Sequence, residues 1–380
     1  MTTTAPQRLA YDGKLGELYG IFFLNLLLGI ITLGIYRFWG RTRYRRYLWS
    51  HTSYDGDRFE YTGTGGELFR GFLIAFGFFF VIVLGLNLLQ VAVGEEHPEI
   101  VVLVQIPFLL LIVFLLFASR YTALRYRLTR TLWRGIRGGL AGSAISYAWR
   151  SIGYGILSGV TLYQFVPFAT VRLFRYRLNN LFFGTAQASF EGRGRDLYGR
   201  YVLAFLLSIG AGVIIVGGIA LSMSSAFQEM FEAIAQAQAQ AQGEAPEQEP
   251  PDFSNASAVH WAIMALVGGY LAWIIAGAIA FLWYWAFSIR YLTGRTELAG
   301  LKFESSVSAG RLFGLFIGNF LLMAFTFGIA YPIVLQRIWR FGAENFLIHG
   351  RVDGAVIEQS RLAPPRMGEG WLEVLDPGIV

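Results

Sequence analysis

The sequence predicts an all-α polytopic membrane protein with internal tandem repeats, in which helical hairpins either re-enter or span the membrane and short cytoplasmic β-hairpins separate them. Three observations support this fold class. Hydrophobic residues make up 55% of the 380 residues and charged residues only 15%, against about 25% charged residues in soluble domains. The apolar residues form long blocks, close to the length of about 20 residues that a helix needs to cross a bilayer. A gapless repeat relates residues 125–180 to residues 290–345.

The apolar blocks fall into two groups. Four blocks are long enough to cross a bilayer without further argument: residues 71–93, 100–118, 201–223 and 261–287. Three others are long enough but interrupted by polar residues: residues 18–38, 147–171 and 312–335. The first group predicts four transmembrane helices, and the second group leaves crossing and re-entry open.

Each interrupted block contains a recurring break. In the first block the break is Thr32-Leu33-Gly34-Ile35, where the threonine can cap a new helix and the glycine tolerates a bend. Thr326 begins the same phrase in the last block, and Thr161 marks a weaker copy in the middle. The pattern predicts a helix, a break and a second helix in each block.

The charges of the loops and the repeat together bear on topology. Residues 94–99 and 228–260 are acidic and the other linkers are rich in arginine, which predicts acidic loops outside and basic loops with the tail in the cytoplasm. Aligned at an offset of 165, the repeat has 15 identities in 56 positions. Both copies carry the same charges, so each repeat needs an even number of crossings. Four spans with three re-entrant hairpins satisfy this condition, and seven plain spans remain the alternative.

These boundaries divide the chain into four parts. The parts are a first repeat at 1–124 (break segment 18–49, spans 71–93 and 100–118), a second repeat at 125–289 (break segment 147–171, spans 201–223 and 261–287, acidic Ala/Gln loop 228–260), a third break segment at 290–349 and a cytoplasmic tail at 350–380. Short strand-like stretches lie between the helical segments. The clearest is residues 51–61, where Asp55-Gly56 predicts a two-residue β-hairpin turn.

The composition also excludes several kinds of site. The chain has no cysteine, which rules out disulfides and thiolate metal ligands. Its four histidines have no metal-ligand spacing, and no nucleotide-binding or hydrolase motif occurs. We therefore predict no metal and no cofactor, and an enzyme is the least favoured class. Only two of the 31 basic residues are lysines, and the arginines lie among aromatic residues beside apolar blocks. This pattern favours anionic headgroups of the inner leaflet as partners, rather than nucleic acid.

Several of these phrases resemble those of a known family. The stretches TLGIYRFWGRTRYRRYLW and DRFEYTGTGGELFRGFL and the tail MGEGWLEVLDPGIV resemble the YjgN-like family of bacterial inner-membrane proteins. The resemblance runs over nearly the whole chain and implies a multi-pass protein of the bacterial inner membrane. The function of the family is unknown, so the resemblance implies no functional residues.

Two function classes remain open. In the first, the protein is a transporter or channel-like protein for a small solute or lipid, because repeats and broken helices with polar residues occur where substrates cross membranes. Its candidate intramembrane polar site is Asn25, Thr32, Asn319 and Thr326. In the second, it is a structural or lipid-organising protein. Its candidate lipid-headgroup residues are Arg41, Arg43, Arg45, Arg46, Arg172, Arg175, Arg337 and Arg340.

Overall fold

The computed structural model describes residues 6–93, 97–241, 256–350 and 357–359. The chain forms two compact units, Met1–Tyr198 with Phe287–Val380 and, separately, Gly199–Ala286. Parts of the predicted acidic loops (94–96 and 242–255) and most of the predicted tail (351–356 and 360–380) lie outside the described residues.

Helices and short strands alternate along the described chain. The helices form five consecutive pairs: α1 (Leu15–Ile31) with α2 (Arg37–Ser50), α3 (Gly65–Val93) with α4 (Pro98–Arg130), α5 (Ala144–Val160) with α6 (Val166–Leu178), α7 (Gly194–Ala241) with α8 (Ala256–Gly294), and α9 (Ala309–Phe325) with α10 (Tyr331–Asn345). The strands are β1 (Gln7–Arg8), β2 (Ala10–Tyr11), β3 (Thr52–Tyr54), β4 (Asp57–Tyr61), β5 (Thr131–Trp133), β6 (Ile136–Leu140), β7 (Leu181–Phe183), β8 (Ala186–Phe190), β9 (Thr296–Leu298), β10 (Leu301–Ser305) and β11 (Phe346–His349).

Two of the five pairs are long. Helices α3, α4, α7 and α8 each contain a stretch that is long and apolar enough to cross a membrane. These four helices contain the four spans predicted from the sequence. In α3 large apolar side chains such as Phe80 and Val81 are exposed, which is unfavourable in water and expected in contact with lipid.

The other three pairs are short. Helices α1, α5 and α9 each have 17 residues, or about 25 Å of helix at about 1.5 Å per residue. Each is followed by a turn and by a helix of 14, 13 or 15 residues. The turns fall at the breaks after residues 31, 160 and 325, so the predicted helix, break and second helix are present in all three segments.

The prediction of an all-α fold with short cytoplasmic β-hairpins is wrong. The eleven strands of the described chain form one antiparallel sheet in the order β1-β11-β10-β9-β8-β7-β6-β5-β4-β3-β2. β1 and β2, at opposite ends of this order, are separated in the chain by Leu9 alone, so the N-terminal stretch nearly closes the sheet into a ring. A lone hairpin is marginally stable and has two unpaired edges. Pairing neighbouring hairpins satisfies those edges, and it depends on contacts between distant residues that local sequence does not reveal.

The ring positions every helix pair. β2 pairs with β3, and α1 and α2 lie between these strands in the chain. Each of the other four pairs likewise lies between two strands that are hydrogen-bonded to each other. Every pair therefore begins and ends at the ring.

Aromatic side chains fill the ring. Tyr54, Trp133, Leu301 and Ile348 are buried together, although they come from β3, β5, β10 and β11. Trp133 lies 5.9 Å from Phe183 of β7 between ring centroids. Side chains from strands around the whole ring can meet only on its inside, so this cluster is the core of the sheet.

Two-residue turns connect several of the strand pairs. The predicted turn at Asp55-Gly56 is present, with φ of 53° and 84°. Arg134-Gly135 and Ala299-Gly300 also have a positive φ at both residues. Positive φ at both central residues is the type I′ geometry, whose twist matches that of the flanking strands. Arg134 also forms ion pairs with Asp55 and Asp57 of the neighbouring hairpin, which links two turns of the ring.

Candidate functional site

Two of the four predicted polar residues, Thr32 and Thr326, form hydrogen bonds within the turns of the short helix pairs. The Thr32 hydroxyl donates to the Leu28 carbonyl at 2.7 Å and accepts from the Tyr36 N–H at 2.9 Å. Thr326 does the same with Leu322 and Ala330, at 2.6 and 3.0 Å. The second of these hydrogen bonds satisfies an N–H that the start of the next helix leaves unpaired, whereas each carbonyl also accepts from the N–H of the same threonine.

The middle copy has the same turn despite its divergent sequence. The Thr161 hydroxyl donates to the Leu157 carbonyl at 2.7 Å and accepts from the Phe165 N–H at 3.1 Å. The two residues after each threonine have positive φ, and the second of them is Gly34 in the first turn and Gly328 in the last. In the middle turn this position is Tyr163, at φ 66°. The threonine rather than the glycine is therefore the common feature of the three turns.

The tips of the three turns are apolar and exposed. Leu33 is 93% exposed and Phe327 is 95% exposed, and Leu162 is exposed at the same place in the middle turn. Since the threonine satisfies backbone groups at the tip, the tip can enter an apolar medium without leaving those groups unpaired.

The two asparagines differ from the threonines. Asn25 Nδ2 donates to the Gly40 carbonyl of α2 at 3.3 Å. The Oδ1 atoms of Asn25 and Asn319 are both buried and have no hydrogen-bond partner within the described part of the chain. An unsatisfied buried amide oxygen is costly, and the same atom is unsatisfied at corresponding positions of the first and the last short pair.

Asn25 lies in a cleft between the first and the last short pair. The cleft has a volume of about 360 Å³. It is lined by Phe22, Asn25, Leu26, Gly29, Arg37, Gly40, Arg41, Tyr44, Met323, Gly328 and Tyr331. Of the predicted residues it thus brings together Asn25 and Arg41, while Thr32, Asn319 and Thr326 do not line it.

The position of this cleft along α3 follows from the contacts of the residues beside it. Phe38 follows Arg37 and lies 5.1 Å from Phe72 of α3 between ring centroids. A Cβ on Gly65, the first residue of α3, would come within 2.7 Å of the Trp39 backbone, so glycine permits this close approach. Phe72 lies where the apolar stretch of α3 begins. The start of α2 is therefore level with the start of a membrane-spanning segment.

Several of the predicted headgroup arginines have contacts within the protein. Arg45 is 4% exposed and donates to the Tyr61 hydroxyl at 3.3 Å. Arg46 donates to the Gly63 carbonyl at 2.8 Å, and Arg175 donates to the Gly192 carbonyl, in the loops that precede α3 and α7. The contacts of Arg46 and Arg175 hold these loops, so the two arginines are placed to fix the helix starts, whereas Arg45 contacts the last residue of β4.

The remaining predicted arginines lie in different surroundings. Arg43 lies over the ring of Tyr36 at 5.5 Å, and Arg172 over that of Phe165 at 5.3 Å. Arg340 is exposed on α10. It lies near Tyr11, whose pKa is raised to about 12 by burial and held back from a larger rise by the charge of Arg340.

Arg337 lines a second cavity, at the base of the last pair. This cavity has a volume of about 530 Å³ and lies between α9, α10 and β1. It also contains Arg8 and Arg311, which the sequence reasoning missed, as it missed Arg37 in the cleft. Arg311 could have been noticed from the sequence. It lies in the first turn of α9, at the position where α1 has Glu17 and α3 has Glu67.

Comparisons with known proteins place the chain in a family. Residues 6–374 match the family described as "Bacterial protein of unknown function (DUF898)". Inner membrane protein YjgN of Escherichia coli O157:H7 is 34% identical over 123 residues, 32% of this chain and 28% of that protein. Inner membrane protein YjgN of Salmonella typhimurium is 30% identical over 155 residues, 41% of this chain and 36% of that protein.

The matched segments therefore span only about a third of the length of these relatives. No solved structure matches the chain. The family match, by contrast, covers nearly the whole chain, and the described chain contains four helices able to cross a membrane. The chain belongs to the DUF898 family, a YjgN-like family of bacterial inner-membrane proteins of unknown function.

Proposed function

We propose that this protein binds anionic phospholipids at the cytoplasmic leaflet of the inner membrane, in the cleft between its first and last short helix pairs. The observation that carries the proposal is the composition of the cleft. Arg37 and Arg41 lie in an otherwise largely apolar space of about 360 Å³, and none of the described residues that line it is acidic. An anionic headgroup with an acyl chain combines the same two properties, a negative charge and an apolar body.

The level of the cleft supports a headgroup as the ligand. Phe38 lies against Phe72, where the apolar stretch of α3 begins. Arg37 is the neighbour of Phe38, so we expect its guanidinium near the boundary between headgroups and acyl chains. Guanidinium groups bind phosphate through two parallel hydrogen bonds, and aromatic residues such as Tyr36 and Trp39 favour the same boundary.

The turn tips support partial insertion of the short pairs. Leu33 and Phe327 are almost fully exposed, and the threonine of each turn satisfies an N–H that would otherwise have no partner. We propose that the tips enter the bilayer and return, which leaves four spans and three re-entrant pairs. The acyl chain of a bound lipid then lies along Phe22, Leu26 and Met323.

The side of the membrane follows from charge. Arginine-rich segments border the ring, to which every helix pair returns. Cytoplasmic segments of membrane proteins carry the excess of arginine, and cytoplasmic leaflets are rich in anionic lipids. We therefore propose that the ring and the cleft lie on the cytoplasmic side.

Native mass spectrometry after gentle extraction tests this function. The Arg37→Gln/Arg41→Gln variant should lose bound phosphatidylglycerol or cardiolipin by about tenfold or more, because a hydrogen bond to a charged group contributes about 1.5–3 kcal/mol. The control is Arg70→Gln/Arg195→Gln, which changes the net charge equally at exposed residues outside the cleft. Equal lipid retention by both variants and the wild type would exclude the cleft as the lipid site.

A second candidate function is transport of a small polar solute. The buried and unpartnered Oδ1 atoms of Asn25 and Asn319 favour it, because polar groups in a membrane are costly and often belong to a pathway. Vesicles containing the protein should then take up a solute that Asn25→Leu/Asn319→Leu vesicles do not. Lipid retention should be unchanged in this variant, which separates the two candidates. Absence of wild-type uptake across amino acids, sugars and inorganic ions would reject transport of these solutes.

A further inference from the structure

Four of the five helix pairs carry a tyrosine five positions before the strand that follows the pair. These residues are Tyr47, Tyr126, Tyr176 and Tyr291. The Tyr176 hydroxyl accepts from the Ser143 N–H and donates to the Ser143 carbonyl, both at 3.0 Å. Tyr47 makes the same two contacts with Lys14, at 2.6 and 3.0 Å. The tyrosine thus ties the end of the second helix to the start of the first.

Three of these pairs also carry an acidic residue in the first turn. Glu17, Glu67 and Asp196 lie at corresponding positions of α1, α3 and α7. The Tyr126 hydroxyl donates to Glu67 Oε2 at 2.6 Å, and the Tyr291 hydroxyl donates to Asp196. An acidic residue there also suits the positive end of the helix dipole.

The fifth pair departs from this pattern at both positions. Phe341 stands five positions before β11, so the hydroxyl is absent, and Arg311 occupies the first-turn position of the acidic residue. A cation in the first turn is disfavoured by the helix dipole. The Arg311 guanidinium donates instead to Asn345 Oδ1 at 3.0 Å, and Asn345 is 4% exposed and also accepts from Ser306. Arg311 is therefore held by a buried, fully engaged partner.

The 530 Å³ cavity between α9, α10 and β1 is lined by Phe341, the residue that stands where the other pairs have the tyrosine. Arg8, Arg311 and Arg337 line this cavity, with Glu344 as the acidic residue among the described lining residues. Within the described chain, Glu344 makes no ion pair with any of these arginines. A Cβ on Gly318 would come within 2.7 Å of Arg337 Nη2, so the Arg337 guanidinium lies directly against α9. Three arginines from three elements thus gather around one cavity with an excess of positive charge.

We propose that this cavity is a binding site for a phosphate group. Phosphate monoesters and diesters present several acceptor oxygens, which match guanidinium groups converging from different directions. An anion also offsets the repulsion among the three arginines and the unfavourable position of Arg311 at the helix start. The site does not depend on the cleft that contains Asn25 and Arg41, since the two share no lining residue.

The phosphate group can belong to a soluble molecule or to a lipid, and the experiment separates these sources. The full-length protein in detergent is titrated with sodium phosphate and with glycerol 3-phosphate against sodium chloride of equal ionic strength. The protein in nanodiscs is compared with and without phosphatidylglycerol. In each arm the shift of the thermal unfolding midpoint reports ligand bound to the folded state. Shifts with the soluble compounds identify a soluble phosphate ligand, and a shift with phosphatidylglycerol alone that Arg37→Gln/Arg41→Gln retains identifies a headgroup in this cavity.

Double variants test whether the ligand response comes from this cavity. Arg311→Gln/Arg337→Gln should weaken the response at least tenfold in ligand concentration. Arg311→Asp/Phe341→Tyr should abolish it while restoring the contacts seen at Tyr291 and Asp196, so its unfolding midpoint without ligand should not fall. Arg37→Gln/Arg41→Gln should leave the response to phosphate unchanged. Absence of a shift in every wild-type arm, or an equal loss in the Arg70→Gln/Arg195→Gln control, would overturn the proposal.

Discussion

The Tyr126 hydroxyl, near the end of α4, donates a hydrogen bond of 2.6 Å to Glu67 Oε2 in the first turn of α3. The other oxygen of Glu67 accepts from Arg130 at 2.5 Å. One carboxylate therefore joins both ends of the first long helix pair at the level of the ring. Tyr126 is itself among the most deeply buried side chains of the described chain.

Replacing Tyr126 with phenylalanine should lower the free energy of unfolding by about 1.5–3 kcal/mol. The carboxylate of Glu67 loses one of its three donors, which are Tyr126, Arg130 and the Thr64 N–H, and a hydrogen bond to a charged group contributes about this amount. Chemical unfolding in detergent measures the change. The control is Tyr270→Phe, an exposed tyrosine of α8, which should have little effect. Equal stability of the two variants would show that the Tyr126 contact is not important for the fold.

Thr326→Val should destabilise the turn between α9 and α10. Valine has nearly the same shape but can neither donate to the Leu322 carbonyl nor accept from the Ala330 N–H. Leaving that N–H without a partner costs about 1–3 kcal/mol. The control is Thr293→Val, because Thr293 only donates to the carbonyl four residues before it. Hydrogen exchange at the Ala330 amide should speed up in the first variant and stay unchanged in the second.

Tyr163→Gly should stabilise the middle turn. Tyr163 has a positive φ of 66° where the other turns have glycine, and a side chain in this region costs about 1 kcal/mol. The reverse change, Gly34→Ala, should destabilise by about the same amount. Gly20→Ala, inside α1 with open space for a Cβ, is the control and should be neutral or slightly stabilising. The unfolding midpoints of the three variants, measured in the same detergent, test this order of stability.

Trp133→Ala should unfold the ring. Trp133 packs against Tyr54, Phe59 and Phe183 from three other strands, and removing a buried tryptophan typically costs about 3–5 kcal/mol. Trp285→Ala, at an exposed position of α8, is the matched control. Proteolysis at the β-hairpins should become rapid only in Trp133→Ala. Retention of protease resistance in this variant would mean that the aromatic cluster does not hold the ring together.

The helical part of the fold could be predicted because its signals are local. The length and apolarity of residues 71–93 are enough for a spanning helix, and a threonine followed by two residues able to turn is enough for the break at Thr32. The turn at Asp55-Gly56 is equally local. Even the divergent middle copy keeps Thr161, which supplies the same two hydrogen bonds.

The candidate site was less predictable. Asn25 and Arg41 belong to the cleft, but Thr32 and Thr326 are used by their own turns and Arg45 by Tyr61. A polar residue at matched positions in two repeats can serve the shared architecture as well as a shared ligand, and sequence spacing does not separate these uses.

The sequence by itself determined the membrane class, the four spanning helices and the three broken ones, because each depends on the composition of one continuous segment. Only the tertiary structure decided that the β-hairpins form one ring, that this ring holds both ends of every helix pair, and that Arg8, Arg311 and Arg337 meet at one cavity. These features join residues as far apart as Arg8 and Leu347. Their formation depends on which strand edges pair, and this is set by the packing of the whole ring rather than by any one stretch of the chain.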